Sequence, residues 1–422
     1  MKQPLIYLIA LSFILFIFSS CNKGLSSPVP VAPDSTLSAD YARRHQTTPT
    51  KTTTPTTPTT PTTPTNGSTV NVGDGSSNLT IDGKAYAAGT TVVIKPGTYS
   101  KGGGITIQNT NGITINGTGV VIDGTGVGNS GYYNCLNLSA INNTTISGIT
   151  VQNNGYRPMY INSRCVGMIL TGLSFINDAQ GPAVGFNSVW DKTDNTIVLL
   201  NCAVRNCTFT NTTFLYAGTS DGNTITNLCK NLEISACTFS GYDGGDLFEL
   251  YVDGFNVFGN KVTNTNPTNN NDNRLFKLIG NGVAHDNTFN NYEGHAIGLN
   301  PISFGSVEED SKFYNNTATN SRRYAMFEMQ EFVSQNVQGY TTKSNLTVDG
   351  NTFGNGGTDK WTGYPATLID NYQHNISGIL GGEVTLTNNK GYNWFPVPSS
   401  NTHLWNLSVP TVNTSNTYTA TL

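Results

Sequence analysis

Several polar and charged residues occupy matching positions in short apolar segments of this chain, where they could form a chemical site. Eight three-residue segments have mostly large apolar outer members, and their middle residues are Tyr160, Gly185, Tyr216, Glu249, Lys277, Gly298, Glu328 and Asp370. Side chains of a strand alternate between its two faces. If these segments are strands stacked on one another, their middle residues form one outward column, in which Glu249 and Lys277 are neighbours about 5 Å apart.

Further polar residues flank these segments and enlarge the predicted site. Those that come two residues before a segment are Arg157, Asp246, Arg274 and His295, and those that directly follow one are Asn162, Asn187, Tyr251, Asn300 and Gln330. Acids, bases, amides and aromatic rings therefore gather along one sheet, centred on Glu249, Lys277 and His295. Rings can cover the C–H faces of a sugar while amides and charges bond to its hydroxyls, so such a long shallow face is suited to a polysaccharide.

One chemistry that these residue types could perform is β-elimination on a uronic acid. It needs a cation that neutralises the substrate carboxylate, a base that removes the adjacent proton, and an acid that assists the leaving oxygen. We assign the cation to Arg274, the base to Lys277, whose uncharged form Arg274 would favour, and the acid to His295 or Tyr251. The predicted substrate contacts are Tyr160, Tyr216, Tyr251, Asn300, Glu328 and Asp370.

Three alternatives use the same residues differently. Glu249, Asp246 and nearby amide oxygens could hold a Ca²⁺ ion in the neutralising role. Hydrolysis of a glycosidic bond would instead need two carboxylates, such as Asp246 with Asp243 or Glu249. The third alternative is a solvated ion-pair face without chemistry, since a cross-strand ion pair contributes only about 0.2–1 kcal/mol.

The N-terminal residues, 1–21, have the pattern of an export signal. Lys2 is followed by an apolar run from Leu5 to Phe18 and then by Ser19-Ser20-Cys21, which is the order of a secretory signal peptide. Because the small residues end in a cysteine, the segment resembles a bacterial lipoprotein signal. That resemblance implies lipidation of Cys21 and a lipid anchor in the cell envelope, at the outer membrane or cell surface; a plain signal peptide is the alternative.

Residues 22–66 are predicted to be a disordered tether. The run TTPTKTTTPTTPTTPTTPT at 47–65 offers nothing to bury, and its proline and threonine residues keep the backbone extended. The chain has a net charge of −4, and only 11% of its residues are charged. The absence of a Lys/Arg run argues against nucleic acid as a partner, and it leaves the lipid anchor as the predicted contact with a membrane.

An internal repeat predicts the fold of residues 67–389. Segments such as GITVQN (148–153), DNTFNN (286–291) and GNTFGN (350–355) recur at steps of 23 to 35 residues, the size of one solenoid coil with variable loops. The second residues of these segments are Ile149, Leu173, Cys207, Cys237, Asn260, Asn287, Asn316 and Asn351. In a parallel β-helix they would stack, so the asparagines predict an internal ladder that satisfies its own hydrogen bonds.

TVVIKPGTY (91–99) and GITIQNTNGITINGTGVVIDG (104–124) resemble the first coil of the pectate-lyase-like superfamily. The resemblance covers most of the chain after the tether, and it implies a single-stranded right-handed parallel β-helix. It does not decide the activity, because this superfamily includes lyases, hydrolases, epimerases and non-catalytic adhesins.

Two further features leave alternatives open. Export permits disulfides, but the cysteines after Cys21 could equally be buried thiols: Cys135, Cys165, Cys202, Cys207, Cys229 and Cys237. Residues 390–422 contain Trp394, Phe395 and Trp405 and break the repeat, so we predict a cap over the last coil. The sequence thus favours a monomeric lyase acting on an acidic polysaccharide, with a non-catalytic glycan-binding or adhesive protein and a glycoside hydrolase as alternatives.

Overall fold

The structure is a computed structural model, and it describes part of the chain after the tether. The described residues are 67–99, 104–125, 135–154, 158–177, 182–186, 198–217, 219–221, 224–226, 228–242, 246–265, 274–301, 303–304, 310–321, 326–329, 340–341, 345–355, 369–370, 384–392 and 411–419. They all belong to the unit Thr63–Leu422. The signal segment, Cys21 and the predicted tether lie outside the described residues.

Within the described ranges, thirty-four strands form one continuous sheet in which neighbouring strands are parallel. The strands wind as a right-handed parallel β-helix, the handedness expected when parallel strands are joined by crossovers. The prediction of fold class is therefore confirmed. No helix among the described segments has the length and apolar character needed to span a membrane.

Each coil contributes strands to three faces. The first face comprises Leu79–Asp82, Gly104–Asn111, Cys135–Asn142, Met159–Ile161, Pro182–Phe186, Thr213–Ala217, Phe248–Phe258, Arg274–His285, His295–Pro301, Phe327–Met329 and Ile369–Asp370. Phe248–Phe258 and Arg274–His285 continue onto the second face, which also includes Thr69–Val72, Thr91–Ile94, Thr114–Asp123, Thr145–Gln152, Ile169–Thr171, Ala203–Arg205, Cys229–Ser235, Ser311–Tyr314, Leu346–Asp349, Val384–Thr387 and Thr411–Thr414.

The third face follows the internal ladder. Thr114–Asp123 and Thr145–Gln152 extend onto it, and its other strands are Gly97–Tyr99, Ser174–Ile176, Thr208–Thr210, Thr238–Ser240, Lys261–Thr265, Thr288–Tyr292, Thr317–Ser321, Thr352–Gly354, Lys390–Tyr392 and Thr417–Thr419. The remaining elements are short: Cys165–Val166, Leu199–Leu200, the antiparallel pairs Thr219–Asp221 with Thr224–Thr226 and Ser303–Phe304 with Tyr340–Thr341, and the 3₁₀ turn Gly83–Ala85.

The interior is built from equivalent side chains stacked along the axis. Phe209 lies between Phe175 and Phe239, with ring centroids 5.1 and 4.9 Å apart and nearly parallel planes. Strand alternation produces this core, because Phe209 is buried while Thr208 on one side of it is exposed. Offset-stacked ring pairs add about 0.5–1.5 kcal/mol beyond the area that they bury, so each stack holds neighbouring coils in register.

The predicted asparagine ladder is present and fully buried. The Nδ2 atoms of Asn260, Asn287 and Asn316 donate to the Oδ1 atom of the asparagine one coil further on, at 2.9, 2.9 and 3.0 Å. Each Nδ2 also donates to a backbone oxygen of the preceding coil, for example Asn287 to Val257 at 2.9 Å. A buried amide is tolerated here because the stack satisfies its donors and acceptors.

The ladder continues past the predicted end of the β-helix at residue 389. Asn351 donates to Asn389 at 3.0 Å, and Asn389 donates to Asn416 at 2.8 Å. Thr411–Thr414 and Thr417–Thr419 pair in parallel with the preceding coil. The boundary at 389 is therefore too early, because a further coil lies within the predicted cap; Trp394, Phe395 and Trp405 lie outside the described residues.

All six described cysteines are buried free thiols. Burial raises the pKa of Cys165 to about 12 and that of Cys202 to about 11, because the charged thiolate is poorly solvated inside the β-helix. Cys237 precedes Asn260 in the ladder, and its backbone N–H donates to the Oδ1 of Asn260 at 2.9 Å. The cysteines therefore serve as small core residues rather than as bridges.

Asp123 is expected to make stability sensitive to acid. Burial opposes its charge, but hydrogen bonds from Thr125, Gln152 and Asn153 outweigh burial and lower its pKa to about 2. Because the folded-state pKa is depressed, the stabilisation is present above the ordinary value near 3.8 and is lost as the pH falls towards 2. Thermal unfolding of wild type and Asp123→Asn from pH 5 to pH 2 should show a smaller loss of Tm in the variant.

Candidate functional site

The predicted outward column exists on the first face. The strand register aligns Glu249 with Lys277, Lys277 with Gly298, and Gly298 with Glu328 on successive coils. At the two ends of the column, Tyr160, Gly185 and Tyr216 precede Glu249, and Asp370 follows Glu328. The alternation of apolar and polar residues in the sequence was therefore sufficient to identify this column.

Glu249 and Lys277 form an ion pair at the accessible part of the column. The Nζ of Lys277 lies 3.0 Å from the Oε2 of Glu249, and the two side chains are 18% and 20% exposed. The flanking strand residues Phe248, Leu250, Phe276 and Leu278 are buried, so the apolar neighbours anchor the strands while the charged residues point outward. A partly exposed pair of this kind contributes little to stability and can exchange partners with a ligand.

Arg274 forms a second ion pair, with Glu328 two coils away. Its Nη2 donates to the Oε1 of Glu328 at 2.8 Å, and its Nε donates to Oε2. The Glu328 side chain is fully buried and that of Arg274 is 15% exposed. Gly298 occupies the coil between Lys277 and Glu328 in the column, so no side chain separates these two positions. A two-pronged guanidinium–carboxylate contact holds both groups in one geometry.

Asp246 connects the two ion pairs. Its Oδ1 accepts a hydrogen bond from the backbone N–H of Arg274 at 2.8 Å. Burial raises the pKa of Asp246, and the nearby negative charge of Glu249 raises it further, while the Arg274 N–H and the charges of Lys277 and Arg274 oppose the shift only in part. The site therefore combines a carboxyl whose pKa is raised by burial with the ion-paired carboxylates of Glu249 and Glu328.

His295 lies below the surface beside this cluster. It is aligned with Arg274 on the next coil, its side chain is 1% exposed, and its Nδ1 is 3.9 Å from the Oε2 of Glu328. Asp246, Arg274 and His295 thus occupy equivalent places on three successive coils. Glu293, two residues before His295, is also buried; its position just ahead of a first-face strand was the sequence signal that could have identified it.

The expectation of a long open face is wrong for several of the predicted substrate contacts. Tyr160 is 5% exposed, Tyr251 is 4% exposed, and Asn300 and Glu328 are fully buried. Alternation along a strand assigns the face of a residue, but what covers that face depends on distant segments. The backbones of Tyr216 and Asp370 are placed, but their side chains are not described, and Arg157, Asp243, Asn187 and Gln330 lie outside the described residues.

The described residues contain no preformed cluster of metal ligands. Over the described ranges, no three side chains of His, Cys, Asp and Glu are grouped as ligands of one ion. Glu249 contacts the Lys277 ammonium and Asp246 accepts the Arg274 N–H. These partners fit a Ca²⁺ ion poorly, because a cation bound to both carboxylates would have to displace the Lys277 ammonium.

Comparisons with known proteins give structural likeness without sequence likeness. No protein-family model and no curated protein matches the chain. Solved structures with a similar course of the chain include an alginate lyase from Paenibacillus sp. (13% identity, TM-score 0.42, 82% of this chain and 98% of that one). A second match is a surface adhesin of Streptococcus pneumoniae (12% identity, TM-score 0.38, 78% of this chain and 81% of that one). A third is a Bacillus pectate lyase in complex with trigalacturonate (14% identity, TM-score 0.30, 81% of this chain and 90% of that one).

Proposed function

We propose that this protein is a polysaccharide lyase that cleaves a glycan containing uronic acid at the Glu249–Lys277 cluster. The observation that supports this most directly is the meeting of Arg274 and Lys277 with Asp246, a carboxyl whose pKa is raised by burial, on adjacent coils of one face. Cations can neutralise a uronate carboxylate, and the protonated carboxyl can serve as the acid. In a chain with 11% charged residues, this concentration of charge is local.

The proposed elimination proceeds at one uronate residue. Arg274 faces the substrate carboxylate. Lys277 first passes its proton to Glu249, its ion-pair partner, and the resulting amine removes the proton on C5. The electrons form the C4–C5 double bond as the C4–O4 bond breaks, and Asp246 donates its proton to O4. Lys277 is then an ammonium again, Glu249 carries the proton that it accepted, and Asp246 is ionised; transfer of that proton from Glu249 to Asp246 restores the starting state. Asp246 takes the role of acid here because His295 and Tyr251 are buried.

Lys277→Ala should reduce the activity by at least about 100-fold, in line with the usual contribution of a positioned base. The measurement is the ultraviolet absorbance of unsaturated products formed from pectate, alginate and glycosaminoglycans. Lys230→Ala is the control, because Lys230 forms an ion pair with Asp253 at 2.9 Å away from the cluster, although its side chain is more exposed than that of Lys277 (43% against 18%). Full activity in a folded Lys277→Ala protein would remove Lys277 from the mechanism.

Asp246 should determine the alkaline side of the pH profile. As an acid it must carry a proton, and burial raises its pKa, so the wild-type rate should fall as the pH rises through that raised value. Asp246→Asn should remove this descending limb together with most of the rate, whereas Asp246→Glu should retain a limb at a changed position. A descending limb that is unaltered in Asp246→Asn would assign the acid to another group.

Hydrolysis is the second candidate, and one observation favours it. Burial raises the pKa of Asp246, and Glu249 lies on the same coil in an ion pair with Lys277. A glycoside hydrolase needs two carboxyl groups, of which one acts as the acid. New reducing ends without ultraviolet absorbance would identify hydrolysis. Binding on a glycan array without either product would instead identify a non-catalytic glycan-binding or adhesive protein.

We propose the same envelope location as the sequence favours, with Cys21 lipidated, the tether outside the bilayer and the β-helix monomeric. Membrane fractions should retain wild type, while Cys21→Ser should be released into the soluble fraction. Addition of a chelator tests the Ca²⁺ alternative: loss of product formation that Ca²⁺ restores would place a cation in the neutralising role.

A further inference from the structure

The third face carries a regular array of hydroxyl side chains that the proposed lyase site does not use. On five successive coils, the first and third residues of each strand point outward in aligned rows. The rows are Thr208 with Thr210, Thr238 with Ser240, Lys261 with Thr263, Thr288 with Asn290, and Thr317 with Thr319. Eight of these ten residues are Thr or Ser, and the residue between the two members of each row is buried.

The array has a constant spacing in two directions. Neighbouring parallel strands lie about 4.8 Å apart, and residues two positions apart along a strand are separated by about 6.6 Å. The hydroxyls therefore form a grid rather than a scattered set of polar side chains.

Ladders of hydrogen-bonded asparagines flank the grid at both of its edges. The buried ladder of Asn260, Asn287 and Asn316 immediately precedes the array. At its other edge, exposed asparagines also bond between coils, with the Nδ2 of Asn211 donating to the Oδ1 of Asn177 at 2.9 Å and that of Asn291 to Asn264 at 2.7 Å. Side-chain ladders of this kind keep a sheet flat, so the array is organised before it meets a ligand.

The chemistry of the array restricts what it can bind. Lys261 is its one charged member, so the face offers no charge complementarity to the acidic glycan proposed for the first face. None of the ten side chains is aromatic. The array therefore has no ring to cover the sugar faces of a crystalline polysaccharide such as cellulose. Hydroxyl and methyl groups on a fixed, uncharged grid instead suit an uncharged crystal of small molecules.

We propose that the third face binds ice. The threonine hydroxyls take the places of water oxygens at a crystal surface, while the γ-methyl groups fill the spaces between them and exclude liquid water. Two-dimensional repetition is what allows many individually weak contacts to be made at once, since each coil adds the same contacts as the last. Lys261 interrupts the grid at its centre, so the wild-type array is effectively divided into two parts.

Freezing-point hysteresis and inhibition of ice recrystallisation by the purified protein test this proposal. In a solution of the wild-type protein, the freezing temperature should lie measurably below the melting temperature. The wild-type protein should also be incorporated into a growing ice front. Thr288→Tyr should reduce the hysteresis several-fold, because a ring standing above the grid keeps the remaining hydroxyls from the crystal. Lys261→Thr should increase it at least about twofold by joining the two parts of the array.

Thr347→Tyr is the matched control, since Thr347 is an outward, partly exposed strand residue of the second face. It should leave the hysteresis unchanged, and circular dichroism should show the same fold in all variants. The proposal is overturned if wild type shows no hysteresis, if Thr347→Tyr reduces it as much as Thr288→Tyr does, or if the protein is retained on microcrystalline cellulose and excluded from ice. None of these readouts depends on lyase activity.

Discussion

Arg274→Ala is expected to lower the free energy of unfolding by about 3–5 kcal/mol, the range for removing one partner of a buried ion pair. The loss arises because Glu328 is fully buried and would keep its negative charge without the guanidinium that now donates to both of its oxygens. Arg274→Lys should recover only part of the loss, since an ammonium cannot reproduce the two-pronged contact. Urea unfolding at pH 7 provides the measurement.

Two further variants make this prediction specific. Arg205→Ala removes a guanidinium that binds Glu233 in the same two-pronged manner but is 40% exposed, so it should lower stability by at most about 1 kcal/mol. Glu328→Gln in the Arg274→Ala background removes the uncompensated charge and should restore much of the loss. If Arg274→Ala and Arg205→Ala destabilise equally, the first-face pair is not buried in the way that the structure describes.

The same variants separate stability from function. Glu328 is out of contact with solvent, so it positions Arg274 rather than meeting the substrate. The double variant Arg274→Ala/Glu328→Gln should therefore fold well but bind a uronate polymer weakly, with a raised KM. Recovery of stability with full recovery of KM would show that Arg274 has no part in carboxylate recognition.

Asn287→Ala should destabilise the protein by about 2–6 kcal/mol. The side chain of Asn287 accepts from the backbone N–H and the Nδ2 of Asn260, at 3.1 and 2.9 Å. Its removal leaves these two buried donors without that acceptor, and each unsatisfied buried group costs about 1–3 kcal/mol. Denaturant unfolding should report the loss as a lower transition midpoint.

Thr288→Ala is the control for the ladder variant, because Thr288 is the next residue in the chain and its side chain is exposed. It should change stability by no more than about 0.5 kcal/mol. Asn287 and Asn316 are hydrogen-bonded to each other. We therefore expect the losses of stability caused by Asn287→Ala and Asn316→Ala not to be additive in the double variant. Additive losses would indicate that each amide is satisfied independently by the backbone.

Much of this architecture could be predicted from local patterns alone. Alternation placed Glu249 and Lys277 outward, and the repeat step placed them on adjacent coils, where the register and the 3.0 Å ion pair confirm them. The ladder from Asn260 to Asn351 followed in the same way. These inferences needed only short-range rules, because a solenoid repeats one local geometry along its axis.

Contacts that cross coils or depend on covering segments could not be predicted in this way. The ion pair of Arg274 is one example, because its partner Glu328 lies 54 residues further on. Tyr251 and Asn300 were assigned to an open binding face and are instead buried. The length of the β-helix was likewise underestimated, because Lys390–Tyr392 still pairs with the preceding coil and Thr411–Thr414 belongs to a further one.

By itself, the sequence therefore determined the parallel coil, its inward ladder and the outward column on the first face, because strand alternation and coil stacking are periodic properties that residue types reveal. The tertiary structure alone decided which members of that column are accessible and which charges pair. Those outcomes depend on where each side chain ends in three dimensions and on what lies over it, and neither is encoded in the spacing of residues along one strand.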